Sequence, residues 1–367
     1  MKERNSGVDL LRIIAMYMIV IVHIFNHSGV LENEYSLSVK IVYILLYTIV
    51  FASANCYALI SGYVGYREKV SYNFTSYINL WFQVAFYGIF VLVILSIVGI
   101  VPFSFKSLIE ALLPVTRNQY WYFTAYTGVF LLAPLINVFI KNIDERTAKT
   151  ICKVLIVAFS FYGTMAMNFG GGDPFCLGAG YSMVWLSFLY LLGALIKRHK
   201  WDEKILQKYH SSKVILIFIV CVILTSIWFL GVKTVTLKVI GFTWGEWLLL
   251  TYTSPTILCM ALCFLILFAN LKLKNKNAIK TVAAGTFAVY LLHEQPVIRV
   301  VFRKDLKWIK NLKGLWSVVV ILGLALVVFV LGILIDYVRR KLFQKCKIQT
   351  CAEKMDRMIW KMLNIFD

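Results

Sequence analysis

Asp9, Arg12, His23 and His27 lie inside one apolar stretch, VDLLRIIAMYMIVIVHIFNH at residues 8–27, that is long enough to cross a bilayer as a helix. At about 100° per residue all four fall within an arc of roughly 60°, so one face of that helix is polar. An ionisable group in hydrocarbon is costly and turns toward a protein interior or a wet cavity. Arg12 and His23 stand roughly 16 Å apart along the axis. A cation near one end can hold an anionic donor while an imidazole near the other takes a proton from a hydroxyl. A plainer reading fits the spacing too: Asp9 and Arg12 form an i, i+3 pair at the interface, and His23 bonds to a neighbouring helix. His23 and His27, at i and i+4, lack the intervening Glu and the third ligand of a zinc site, so no metal is expected.

The elements that must position these residues follow from composition. The 367 residues are 60% hydrophobic and only 15% charged, and the mean hydropathy is +0.77. A soluble domain carries about a quarter charged residues. Runs of about 20 apolar residues recur along the chain. The expectation is an all-α polytopic membrane protein with spans near 8–27, 39–63, 77–101, 120–140, 151–168, 181–196, 213–231, 247–269, 280–297 and 315–338. The first run is too long for a signal-peptide core and has no small-residue cleavage site after it, so it reads as the first span. Loops after even-numbered spans hold two basic residues (Arg67, Lys69), four (141–153), six (197–213) and four (272–280). That bias places both termini in the cytoplasm. The ninth loop, 297–314, breaks the pattern with six basic residues on the predicted outside, as an interfacial amphipathic helix would. The net charge of +20 is spread over loops and helix ends. It reads as a topology signal facing anionic lipid, with no nucleic-acid face. The chain divides into a membrane domain, 1–338, and a basic cytoplasmic tail, 339–367. The eight cysteines lie mostly in apolar segments without a redox spacing and read as packing residues.

An amino-terminal Arg, the run Asp9-Leu-Leu-Arg12, a long apolar helix and a His eleven residues after that Arg resemble the membrane-bound acyltransferase-3 family. ANCYALISGYVGYRE (54–68), QYWYFTAYTGVFLLAPLIN (119–137), WLSFLYLLGALIKR (185–198) and GTFAVYLLHEQP (285–296) continue the resemblance in order, over about residues 4–338. The resemblance implies an integral-membrane O-acyltransferase that moves an acyl group, taken as acetyl, from cytoplasmic acyl-CoA to a hydroxyl of a cell-surface polysaccharide or glycolipid. It implies His23 as the catalytic base and Arg12 as a residue that helps hold the donor. Arg67 and Lys69 would meet CoA phosphates at the cytoplasmic mouth. The family pairs two Arg residues at i and i+3, and here Arg67 has Val70 three residues on, so which basic residue fills the second place stays open. The donor is then a substrate, and no tightly bound cofactor is expected. The setting implied is a bacterial plasma membrane.

Other residues carry two readings each. Ser61, Gly62 and Tyr63 close the second span, where Gly permits close packing and Tyr sits at the interface. Trp121 opens a helix on the outer side and either lines the acceptor entry or belongs to an aromatic belt. His293 and Glu294 precede Pro296 and cap the ninth span; they either complete the acceptor site or orient His23, or form an interfacial polar end. Glu246 heads the eighth helix, and His199 and His210 sit in a solvated basic loop. Two further classes compete with the enzyme: a transporter or flippase of lipid-linked glycan, which also lines its pathway with polar groups, and a non-catalytic membrane sensor on the same fold.

Overall fold

The computed structural model of the chain describes residues 4–33, 35–68, 71–274, 276–312 and 314–363. The helices are α1 (Ser6–Ser28), α2 (Leu37–Phe51), α3 (Ser53–Gly65), α4 (Phe74–Ile97), α5 (Phe105–Leu112), α6 (Trp121–Asn142), α7 (Glu145–Leu155), α8 (Gly163–Asn168), α9 (Met183–His199), α10 (Trp201–Ile240), α11 (Pro255–Ala269), α12 (Lys276–Ala283), α13 (Thr286–His293), α14 (Pro296–Asp305), α15 (Trp316–Lys345) and α16 (Ile348–Leu363). No strand occurs among the described residues. Among the described residues, seven helical stretches are long and apolar enough to cross a membrane: α1, Leu37–Gly65, α4, α6, Glu145–Asn168, α10 and α15.

Three of the ten expected spans take a different form. The segment expected at 181–196 is α9, shorter than a usual span but buried along nearly all of its length. In the segment expected at 247–269, helix begins only at Pro255, whose ring lacks the N–H that a first-turn residue leaves unbonded anyway. Residues 246–254 form turns and bends, and Glu246 is therefore buried within a turn rather than at the head of a helix. The segment expected at 280–297 is two short helices, α12 and α13, separated at Ala284–Gly285. The basic loop expected at 197–213 is helical: α9 runs through His199, α10 starts at Trp201, and the chain kinks at His210.

α1 is the central element, in contact with α2, α3, α11, α12, α13, α14 and α15. The Asn5 side chain accepts the N–H groups of Gly7 and Val8 at its start, and Gly29 in the left-handed region ends it. Around it the helices pack backbone to backbone. A Cβ at Gly62 would stand 1.9 Å from the Tyr190 carbonyl oxygen, and one at Gly193 would stand 2.1 Å from that of Leu59. Those two glycines bring α3 and α9 together, the close approach that small residues allow between membrane helices. Gly332 on α15 lets α13 settle against it through Val289. Tyr120 Oη donates to the Leu291 carbonyl at 3.0 Å and ties α13 to the start of α6.

At the other end, buried Asp336 accepts from Arg339 at 2.7 Å and Tyr87 at 3.0 Å and pairs with Arg340 at 2.9 Å. α15 continues past Arg339 to Lys345. α16 then returns along α4, where Thr75 donates to Asp356 at 2.8 Å and Phe74 meets Trp360 edge to face.

Candidate functional site

His23 and His27 lie one turn apart on α1, and α13 brings a second pair to meet them. The last turn of α13 ends at His293, and Gln295 caps the next helix, accepting the N–H groups of Val297 and Ile298. The bend between the two helices turns His293 and Glu294 toward α1. His23 Nδ1 lies 2.8 Å from His293 Nε2, and His293 Nδ1 lies 2.6 Å from the Val289 carbonyl oxygen. The Glu294 carboxylate is 3.4 Å from His23 Nδ1 and 3.2 Å from His27 Nε2, with the Arg299 guanidinium 3.9 Å from its second oxygen.

These contacts fix the tautomers. A carbonyl oxygen only accepts, so His293 carries its proton on Nδ1, and the neutral ring presents a lone pair at Nε2. His23 must then donate from Nδ1 to His293. The Nε2 of His23 is left with a free lone pair, the arrangement a general base requires. Glu294 stands where it offsets the positive charge that His23 gains on taking a proton, and His27 Nε2 donates to Glu294 and steadies it. His23 lines a cavity of about 890 Å³ together with His27, Trp121, Tyr181 and Glu294, whereas His293 is 2% exposed and does not line it. His23 faces the cavity and His293 stands behind it.

His23, His293 and Glu294 also form a three-donor cluster with ligand atoms within 4.8 Å of one another, which the sequence reading did not identify. Ligands on a tetrahedral zinc with bonds near 2.05 Å stand about 3.3 Å apart. The 2.8 Å between the two ring nitrogens is a hydrogen-bond length and is met by a proton.

Toward the opposite end of α1, buried Asp9 pairs with Arg4 at 2.8 Å and Arg12 at 3.3 Å. Arg12 lines three cavities. The largest, about 1430 Å³, is a mouth shared with Arg4, Tyr63, Arg67, Lys197 and Lys200. The second, about 330 Å³, holds Ser61, Arg67 and Tyr126. The third, about 280 Å³, runs inward past Tyr57, Ser61 and Tyr122 to Thr286 on α13. Thr286 is seven residues before His293, roughly 10 Å of helix. Tyr122 and Tyr290 stand between, with ring centroids 6.5 Å apart. Ser61 Oγ donates to the Tyr57 carbonyl, and Tyr63 Oη donates to Asp202 beneath the Lys197 ammonium.

The expected site residues thus fall into two groups. His23, His27, Trp121 and His293 gather at one end, and Asp9, Arg12, Ser61, Tyr63 and Arg67 gather at the other. Lys69 lies outside the described residues. Sequence reasoning weighed Glu294, with His293, between completing the site and forming an interfacial polar end, and left it out of the expected site residues. The dipeptide His-Glu before a proline was the available signal. It also assigned the basic run after Leu195 to solvent, although Lys197, Arg198 and Lys200 line the mouth beside Arg12.

The chain is a helical protein with a hydrogen-bonded imidazole pair at one end of its central helix and a cation-lined mouth at the other. Residues 5–335 match the acyltransferase domain that defines the acyltransferase-3 family, and the chain belongs to that family. No curated protein and no solved structure matches it.

Proposed function

We propose that this protein is an O-acyltransferase, taking an acetyl group from acetyl-CoA at the cytoplasmic Arg12 mouth and delivering it to a hydroxyl of a surface glycan or glycolipid in the outer His23 cavity. The observation that carries the reading is the hydrogen-bonded pair His23–His293, which leaves His23 Nε2 as the basic atom facing the cavity. Both termini then lie in the cytoplasm of a bacterial plasma membrane. The three shorter segments, around α9, α11 and α12–α13, complete ten passes.

CoA phosphates would meet Arg12 and Arg67 at the mouth, since guanidinium forks match phosphate oxygens, with Lys69 as a further expected contact. The separation of roughly 16 Å between Arg12 and His23 is comparable to that of an extended pantetheine arm. The inner cavity from Arg12 to Thr286 supplies the first part of its route. His23 Nε2 takes the acceptor hydroxyl proton as that oxygen bonds to the thioester carbonyl carbon. The carbon–sulfur bond then breaks, and the proton passes from His23 to the departing thiolate. Glu294 stabilises the imidazolium in between, an electrostatic contribution that grows in a water-poor site.

Membranes containing wild type or His23→Ala at matched expression, supplied with radiolabelled acetyl-CoA and the host's own surface glycans, test this. Label reaches glycan in the wild type and falls by a factor of about 100 or more in the variant. Equal labelling would remove His23 from the chemistry.

A further inference from the structure

The basic segment after Pro296 runs against the bias that keeps Lys and Arg in the cytoplasm, and its placement gives it a purpose. α14 and the short 3₁₀ turn Lys307–Asn311 fold over the His23 cavity, so that Arg299, Arg303, Lys304, Lys307 and Lys310 all line it. The segment is held in place: Ile309 is fully buried, and the Lys310 carbonyl accepts from Asn33 at 2.8 Å and Tyr35 at 2.7 Å. Among the described residues, five cations line this cavity with two carboxylates, Glu32 and Glu294. Glu294 already serves His23, His27 and Arg299. Among the described residues no carboxylate pairs with Arg303, Lys304, Lys307 or Lys310. Five like charges converging on one concavity repel one another until an anion occupies it.

We infer that the acceptor bound in the His23 cavity bears phosphate, and that Arg303, Lys304, Lys307 and Lys310 hold that phosphate while a neighbouring sugar hydroxyl meets His23. This rests on the acyl-transfer reading of His23. Among the described lining residues the excess of three positive charges exceeds what a lone sugar carboxylate neutralises, and it matches a diphosphate or adjoining phosphodiesters. The cations line the same concavity as the base, so they serve a ligand inside it rather than the lipid surface alone. Both candidate sources, a lipid diphosphate-linked oligosaccharide and a phosphodiester-linked glycan, share this chemistry.

The full chain in phosphatidylcholine nanodiscs is assayed as wild type and as the triple variant Arg303→Gln, Lys304→Gln, Lys307→Gln. One oligosaccharide is offered as a neutral glycoside, as a polyprenyl diphosphate and as a phosphodiester-linked oligomer, and pyrophosphate binding is measured separately in a His23→Ala background. A KM at least tenfold lower for one phosphate-bearing form than for the neutral form is expected, and which form it is identifies the source. That KM rises at least tenfold in the triple variant with kcat little changed, and it rises with added salt as screening predicts. Pyrophosphate binding weakens in parallel, and Arg303→Lys with both lysines intact retains it, which separates loss of charge from misfolding. Equal KM values for neutral and phosphate-bearing acceptors, or a triple variant that binds and reacts like wild type, would overturn the inference while leaving the acyl-transfer reading intact. Charge-dependent pyrophosphate binding without transfer to any form would retain the anion site and reject the acyl-transfer reading.

Discussion

At the scale of single residues, the hydrogen bond from His23 to His293 gives His293 a positioning role. It does not line the cavity, but it selects the tautomer and orientation of the ring that does. His293→Ala leaves His23 free to flip or to present its Nδ1 lone pair. The expected loss in kcat is about 100-fold, with KM for the acceptor nearly unchanged. Gln at 293 offers a carbonyl acceptor to His23 Nδ1–H and restores part of the rate. Single-site kinetics on the two variants check this, and the idea fails if Ala and Gln are equally impaired. Asp9 works in a similar way at the other end, drawing Arg4 and Arg12 together at the mouth.

At the scale of elements, the distance between the two ends of the site is set by α1, and the lateral placement of its neighbours is set by glycines. A Cβ on Gly193 would push into the Leu59 carbonyl, which is backbone and cannot rotate away. Gly193→Ala therefore forces α9 from α3 and costs about 2 kcal/mol or more. Gly231 on α10 meets nothing within 4 Å, so Gly231→Ala gains about 1 kcal/mol from helix propensity. Thermal unfolding in detergent should show a lowered midpoint for the first and an unchanged or raised one for the second. Similar midpoints would remove Gly193 from the packing argument.

At the scale of the whole molecule, the orientation sets which side supplies each substrate. Cys176 is exposed in the turn before Tyr181, which lines the His23 cavity, while Cys346 and Cys351 are exposed beyond the end of α15. With the His23 cavity outside, a membrane-impermeant maleimide labels Cys176 in intact cells and reaches Cys346 and Cys351 only after permeabilisation. Mass spectrometry of the labelled chain reads the pattern directly, and the reverse pattern would invert the proposed direction of transfer. The remaining cysteines are buried or half-buried and serve as internal controls.

Helicity, membrane residence and family were legible without coordinates, because each is a local or cumulative property of the chain. Apolar run length sets what can span a bilayer, and the polar arc on residues 8–27 follows from helix periodicity alone. Arg12 and His23 could be named for the same reason: both lie on one helix, and their separation is fixed by its rise. The ninth segment could not be read so. Its apolar pattern continues through Ala284–Gly285, where the structure turns between α12 and α13, and although Pro296 marks the end of the helix near His293, the direction in which the chain bends there is not written in the pattern. That bend carries Glu294 and the cations of α14 over a site whose other half is about 270 residues away in the chain, and no periodicity encodes that meeting. Sequence alone determined which groups needed a wet or protein interior; tertiary packing decided which of them touch, because hydrogen-bond partners and tautomers depend on atoms brought together only by the fold.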